Sequence, residues 1–150
     1  MFNKLLPRLV DNTYRGRNLA LWLFAVVVAV KTLQCLLTIF NGNDVLRGAD
    51  AIPLDTYTAA GAQAVVAIWA VASFNRLLIG LLGVLVLVRY RSLIASMFVL
   101  LVVQDLGRAA ILHFIPIVRS AVPLATFTNT AISVLTIVGL LLSVWETKQS

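Results

Sequence analysis

Four long apolar stretches constrain this chain more than any other feature of its sequence. They cover residues 18–40, 58–88, 92–115 and 122–145, to within a residue or two at each end. Each is close to the roughly 20 residues that an α-helix needs to cross the hydrocarbon core of a bilayer. Backbone polar groups in lipid must bond within their own segment, so such stretches fold as helices. We therefore predict an all-α, four-helix transmembrane bundle that forms one integral membrane domain.

The composition supports this class and excludes several others. Hydrophobic residues make up 61% of the chain and charged residues 12%, whereas a soluble domain is about half apolar and a quarter charged. The single cysteine, Cys35, excludes an internal disulfide, and the single histidine, His113, leaves no cluster of His and Cys for a metal. We expect no metal site and no cofactor. The net charge of +6 lies mostly beside apolar stretches, which favours membrane headgroups over nucleic acid as the partner.

The distribution of basic residues predicts an orientation. One side of the membrane would carry only Arg47 and Arg119, together with the loop at residues 41–57. Because lysine and arginine accumulate on the cytoplasmic side, the richer set marks that side. We predict an up-down bundle in the bacterial inner membrane with both termini cytoplasmic. The basic residues of the cytoplasmic set are Lys4, Arg8, Arg15, Arg17, Arg89, Arg91 and Lys148.

The first 17 residues precede the first apolar stretch and are interpreted separately. Phe2, Leu5 and Leu9 follow helical spacing, which indicates a short helix lying at the membrane interface. Pro7 disfavours that helix unless it lies in the first turn. A disordered basic tail is an equal alternative.

Ionisable residues inside the apolar stretches are the main functional signal. Asp105 and Arg108 lie in the middle of the third stretch and share one helix face. Charges at that depth are costly and usually face a protein interior. The first and fourth stretches also carry polar side chains at helical spacing, which should face other helices. These are Lys31, Gln34, Cys35 and Thr38, and then Thr126, Asn129, Thr130 and Ser133.

The most polar residues of all four stretches fall at a similar depth. A rise of about 1.5 Å per residue places them roughly 20–26 Å from the cytoplasmic edge. We therefore predict one shared intramembrane site, although Lys31 and Arg76 could instead extend along lipid toward a headgroup. The candidate site residues are Lys31, Gln34, Asn75, Arg76, Gln104, Asp105, Arg108 and Asn129.

The charges of this layer do not cancel, which leaves three hypotheses. The first is a non-enzymatic membrane subunit or scaffold, in which an Asp–Arg pair locks the bundle and small-residue faces dock helices, including those of a membrane-protein partner or a second copy. The second is a binding site, or an isomerase-like enzyme, for an anionic lipid or amphiphile. The third is a proton or ion path, which is disfavoured because the titratable groups share one level.

The second hypothesis assigns specific roles to the candidate residues. Arg76, Arg108 and Lys31 would hold the anion, and Asp105 would orient Arg108 or, in an enzyme, act as the general base. Hydrogen bonds to the anion would come from the amides Asn75, Gln104 and Asn129.

One segment resembles a known family. The run 74–83, with Gly80 and Gly83, is followed by the basic turn Arg89-Tyr90-Arg91 and then by Leu106-Gly107-Arg108. This order is similar to that of small bacterial four-helix membrane proteins of the DoxX-like kind. The resemblance implies a four-helix bundle in the bacterial inner membrane, in a group where some members associate with redox partners. It implies no catalytic residue.

Overall fold

Four long helices make up most of the structure, a computed structural model that describes residues 10–14 and 16–145. Each helix is long and apolar enough to span a membrane, and the described residues contain no strand, which confirms the all-α prediction. Part of the N-terminal segment that we predicted to lie at the interface, residues 1–9 and 15, falls outside the described residues. The long helices are α1 (Asn18–Phe40), α2 (Ala59–Arg89), α3 (Ile94–Phe114) and α4 (Leu124–Val144).

The helix α1 organises the bundle. It packs most extensively against α2 and then against α4, while α3 packs mainly against α4. The rings of Phe24 on α1 and Phe98 on α3 meet edge to face at the core, with centroids 5.1 Å apart. Val27, Val28 and Leu101 are buried around them. The apolar core therefore lies where α1, α3 and α4 converge.

Glycines permit the closest helix contacts. A Cβ atom at Gly80 of α2 would lie 2.7 Å from the Thr32 hydroxyl oxygen of α1. A Cβ atom at Gly139 of α4 would lie 2.4 Å from the ring of Phe98. Such distances are below van der Waals contact, so α2 and α4 approach their neighbours as closely as they do because these positions carry no side chain.

Residues 10–14 cover one end of the bundle, which we call the turn end. The backbone N–H of Asp11 donates to the Ser92 hydroxyl at 3.1 Å, and that hydroxyl donates to the Asp11 carbonyl at 2.9 Å. Ser92 lies in the 3-10 turn Arg91–Leu93 that joins α2 to α3. Tyr14 packs against the core, and burial raises the pKa of its hydroxyl to about 12.

The opposite end, here the loop end, is covered by the connection between α1 and α2. This connection contains a π-helical turn at Val45–Ala49 and a 3-10 turn at Leu54–Thr56. Leu46, Ile52 and Leu54 are buried in a small cluster against α2 and the connection at 115–123. The loop thus folds back over the helices and lies against the α3–α4 connection, not out in solvent.

Candidate functional site

An ion pair joins the first and third helices inside the bundle. The Lys31 ammonium donates to Oδ1 of Asp105 at 2.6 Å, and the Ser133 hydroxyl of α4 donates to Oδ2 at 3.0 Å. Each charged side chain is only 19% exposed. One carboxylate therefore links three helices, and each of its oxygens has a protein partner. We call this set of Lys31, Asp105 and Ser133 the polar link.

The ion pair in the polar link differs from the predicted pair of Asp105 with Arg108. Among the described residues, Asp105 forms its ion pair with Lys31 and not with Arg108. Arg108 lies about one helical turn nearer the loop end than Asp105. Asp105 and Arg108 do share one face of α3, as predicted. The Lys31 ammonium of α1 pairs with the Asp105 carboxylate, and the Arg108 guanidinium lies near other charges.

Those other charges are Asp50, Arg76 and Arg119, which act electrostatically on Arg108. Asp50 of the folded-back loop is 7% exposed, and three guanidinium groups lie close enough to influence its charge. They come from Arg76 on α2, Arg108 on α3 and Arg119 in the α3–α4 connection. Burial raises the pKa of Asp50, and the arginines with a hydrogen bond from Trp69 lower it by a smaller amount. We call the three arginines the arginine cluster.

Backbone hydrogen bonds place Asp50 beside the cluster. The N–H and hydroxyl of Ser120 both donate to the Ala51 carbonyl, at 2.9 and 3.1 Å. Since Asp50 precedes Ala51 and Arg119 precedes Ser120, these bonds hold the two charged residues near each other. Ala51 itself has a φ of 53°, a left-handed conformation that costs a non-glycine residue about 1 kcal/mol or more.

Arg76 lies near the middle of α2 and is half-buried. One of its terminal nitrogens, Nη2, donates to the Ser73 hydroxyl of the same helix at 2.9 Å. Its Nε is buried and has no hydrogen-bond partner among the described residues. The thiol of Cys35 is within electrostatic reach of both Arg76 and Lys31. Arg76 therefore has one buried donor without a partner among the described residues.

Asn75 does not share the predicted site. Its side chain is exposed, whereas Ser73 and Gly80 of the same helix are buried toward α1. Adjacent helical residues point about 100° apart, and Arg76 takes the inward-facing direction. Asn75 therefore lies on a different face of α2 from the interior polar residues, and its hydrogen bond to a ligand stays a prediction.

The remaining candidates are half-buried or exposed. Gln34, Gln104 and Asn129 are half-buried. Thr130, which shares the polar face of α4 with Ser133, is exposed, and its hydroxyl donates to its own helix at the Thr126 carbonyl at 2.8 Å. Of the α4 stripe, Ser133 therefore carries the bond to another helix.

Sequence reasoning missed three residues of the two groups. Ser133 belonged to a recognised polar stripe but was not assigned to the site. Asp50 and Arg119 were assigned only to the loops: the length of the loop at residues 41–57 indicates that it can fold back over the bundle, but not which of its side chains becomes buried. A signal for Asp50 did exist, since it lies beside the apolar residues Ala51 and Ile52, which are buried.

The fold and these two groups define an all-helical protein of the integral membrane type, with four candidate spans and paired charges inside. Comparisons with protein-family models, with curated proteins and with solved structures gave no match. The resemblance to DoxX-like proteins stays a prediction.

Proposed function

We propose that the chain is a non-enzymatic membrane subunit that assembles with a second copy of itself through α2. The observation that carries this proposal is the exposure of Asn75 near the middle of a long apolar helix. An amide exposed to hydrocarbon is unfavourable unless it forms hydrogen bonds. A second helix that brings a polar side chain to this position would satisfy it.

The residues around Asn75 suit a close helix contact. Ala60, Ala64, Ala67 and Val71 are all exposed and follow one face of α2 that leads to Asn75. The three alanines are small enough to let two transmembrane helices approach closely. We call these five residues the docking face.

A second copy is the occupant that this face fits best. An amide carries both donors and an acceptor, so two Asn75 side chains related by a two-fold axis can pair reciprocally. Two-fold contacts use the same patch on both subunits, and the docking face brings small residues against small residues in that arrangement.

The polar link supports a structural role over a catalytic one. Both carboxylate oxygens of Asp105 already accept hydrogen bonds, from Lys31 and from Ser133. The link holds α1, α3 and α4 together. The helix α2 packs against them and leaves the docking face exposed.

The proposed placement is an up-down bundle in the bacterial inner membrane with both termini cytoplasmic. The turn end carries Arg17, Arg89 and Arg91, and the loop end carries Arg47 and Arg119 with several acidic residues. The positive-inside rule favours this orientation. The hydrogen bonds between Asp11 and Ser92 support a shared end for the N-terminal segment and the α2–α3 turn.

Disulfide cross-linking tests the docking face. In a full chain with Cys35 replaced by alanine, Val71→Cys on α2 is compared with Val103→Cys on α3 in native membranes. The two side chains are equally exposed, at 63% and 60%, so Val103 is a matched control. We expect a cross-linked dimer of the chain from Val71→Cys, with little from Val103→Cys, and a several-fold lower yield when Asn75 is also changed to leucine.

Two results would contradict the proposal. Equal dimer yields from both cysteines would mean random collision in the membrane. A dimer yield that Asn75→Leu leaves unchanged would mean that the amide does not hold the contact.

A further inference from the structure

The helices α3 and α4 are packed firmly at the turn end and loosely at the loop end. All five buried residues of α3 lie within 94–101, and all four buried residues of α4 lie within 132–143. The stretch 102–131 between them, which the structure describes throughout, contains one buried residue, Pro123. Sparse burial is typical of segments that open at a low free-energy cost. We call residues 102–131 the hairpin tip.

The hairpin tip also has little support from α2. The short turn Arg91–Leu93 joins α2 to α3, and helices joined in this way usually pack as antiparallel neighbours. Here α2 packs mainly against α1, and α3 packs mainly against α4. The α2–α3 side of the bundle is therefore sparsely packed beyond the turn.

The loop between α1 and α2 is anchored on α2. Its buried side chains Leu46, Ile52 and Leu54 pack against half-buried apolar residues of that helix, which are Val65, Val66 and Trp69. The loop therefore belongs to the part of the bundle that α1 and α2 form.

The far end of the hairpin tip is fastened to this loop. The backbone N–H and the hydroxyl of Ser120 both donate to the Ala51 carbonyl, at 2.9 and 3.1 Å. Ile117 packs against the buried side chains of the loop. Near its other end the tip is held by the 2.6 Å ion pair between Lys31 and Asp105.

We propose that the loop is a latch for the hairpin tip, and that the tip swings away from α1 and α2 when the bonds between Ser120 and Ala51 break. The pivot is the buried contact of Phe24 with Phe98, which lies toward the turn end. Hinged movements of this kind are carried by packed elements that stay intact on either side of the pivot. Opening widens the sparsely packed α2–α3 side and admits lipid toward the polar link. This proposal does not rest on the docking face.

Distances between spin labels test the latch in the full chain, reconstituted in lipid nanodiscs with Cys35 replaced by alanine. One labelled pair, Ile68→Cys with Ile111→Cys, spans α2 and α3 in the loop-end half. The other, Leu85→Cys with Leu100→Cys, spans the same helices in the turn-end half. All four side chains are exposed. Labelled chains are diluted with unlabelled chains, so that distances between copies do not contribute.

The latch variant is Ser120→Ala, and Ser92→Ala is its matched control. Each removes one hydroxyl from a connection between helices. The Ser92 hydroxyl donates to the Asp11 carbonyl at 2.9 Å, which makes it the counterpart of the latch at the turn end.

We expect Ser120→Ala to increase the population of longer distances in the loop-end pair about fivefold, the usual effect of one net hydrogen bond. The turn-end pair should keep its wild-type distances, which also shows that the variant is folded. Ser92→Ala should leave the loop-end pair unchanged.

Three outcomes would overturn the proposal. The first is a loop-end pair that Ser120→Ala does not change. The second is an equal change in both pairs, which would mean general loosening of the bundle. The third is an equal effect of Ser92→Ala on the loop-end pair.

Discussion

The ammonium of Lys31 lies 2.6 Å from Oδ1 of Asp105, so α1 neutralises the carboxylate of α3. The Ser133 hydroxyl takes the other oxygen. Arg108, one helical turn away, therefore takes no part in the ion pair of Asp105. The polar interior of the bundle thus contains an ion pair and a hydroxyl that together link three helices.

Loss of the carboxylate in the polar link should destabilise the bundle. Asp105→Asn leaves the Lys31 ammonium without its counter-charge in a half-buried position, which we expect to cost about 3 kcal/mol of unfolding free energy. Asp55→Asn is the matched control, because its ion pair with Arg47 is exposed and should contribute less than about 1 kcal/mol. The unfolding free energies of both variants are measured in denaturing detergent. Similar losses of unfolding free energy in the two variants would contradict a structural role for the polar link.

A methyl group at Gly139 should disrupt the contact between α3 and α4. The new Cβ would lie 2.4 Å from the buried Phe98 ring, and overpacking of this kind typically costs about 1–3 kcal/mol. Gly107→Ala is the control, since no atom lies within 4 Å of its added Cβ and alanine favours helix. Thermal unfolding should show a lower Tm for Gly139→Ala and an equal or higher Tm for Gly107→Ala; the reverse order would mean that the helices pack differently.

The left-handed backbone at Ala51 should make this position sensitive to branching. Ala51→Val places a β-branched side chain at a φ of 53° and should lower the unfolding free energy by more than about 1 kcal/mol. Ala51→Gly removes the strain but also a buried methyl group, so we expect little net change. Ala49→Val, in the adjacent π-helical turn, is the control. Equal stability of the two valine variants, measured by thermal unfolding, would argue against the strained loop conformation.

Stability should depend on pH through Asp50. Burial raises the pKa of Asp50 in the folded protein, and the groups that oppose this effect are Arg76, Arg108, Arg119 and Trp69. A raised pKa means that the folded state binds its proton more tightly than the unfolded chain does, so Asp50 favours folding at low pH, and this contribution is lost as pH rises through the raised pKa.

Asp50→Asn removes that titration and provides the comparison. The variant should be more stable than the wild type at neutral pH, and the difference in Tm should shrink as pH falls toward the ordinary pKa of an aspartate. A difference that grows on acidification would mean that the folded state prefers the charged carboxylate.

The sequence predicted the helices well for a physical reason. Apolar stretches of bilayer length have no alternative to helix in lipid, and the polar loop and the basic turn around Tyr90 interrupt them. The cost of burying charge also predicted that Lys31 and Asp105 would lie inside the bundle, where the structure places them half-buried.

The depth of a residue in the membrane does not by itself predict which residues pair with Lys31 and Asp105. Lys31 and Arg108 are both near Asp105 along the membrane normal, and the choice between them depends on how the helices rotate and pack. Asn75 and Arg76 are adjacent, so only one of them can face inward. The role of Asp50 depends on the strained backbone at Ala51. Because this residue is not a glycine, the sequence does not indicate a left-handed conformation there.

The most direct test of the interior arrangement is a charge exchange between Lys31 and Asp105. Unfolding free energies are measured for Lys31→Asp, for Asp105→Lys and for the double variant that carries both changes. Each single variant places like charges together and should be strongly destabilised. The double variant should recover about 2 kcal/mol relative to the sum of the single losses, a coupling typical of residues in contact. Additive losses would show that the two side chains do not meet and would contradict the account.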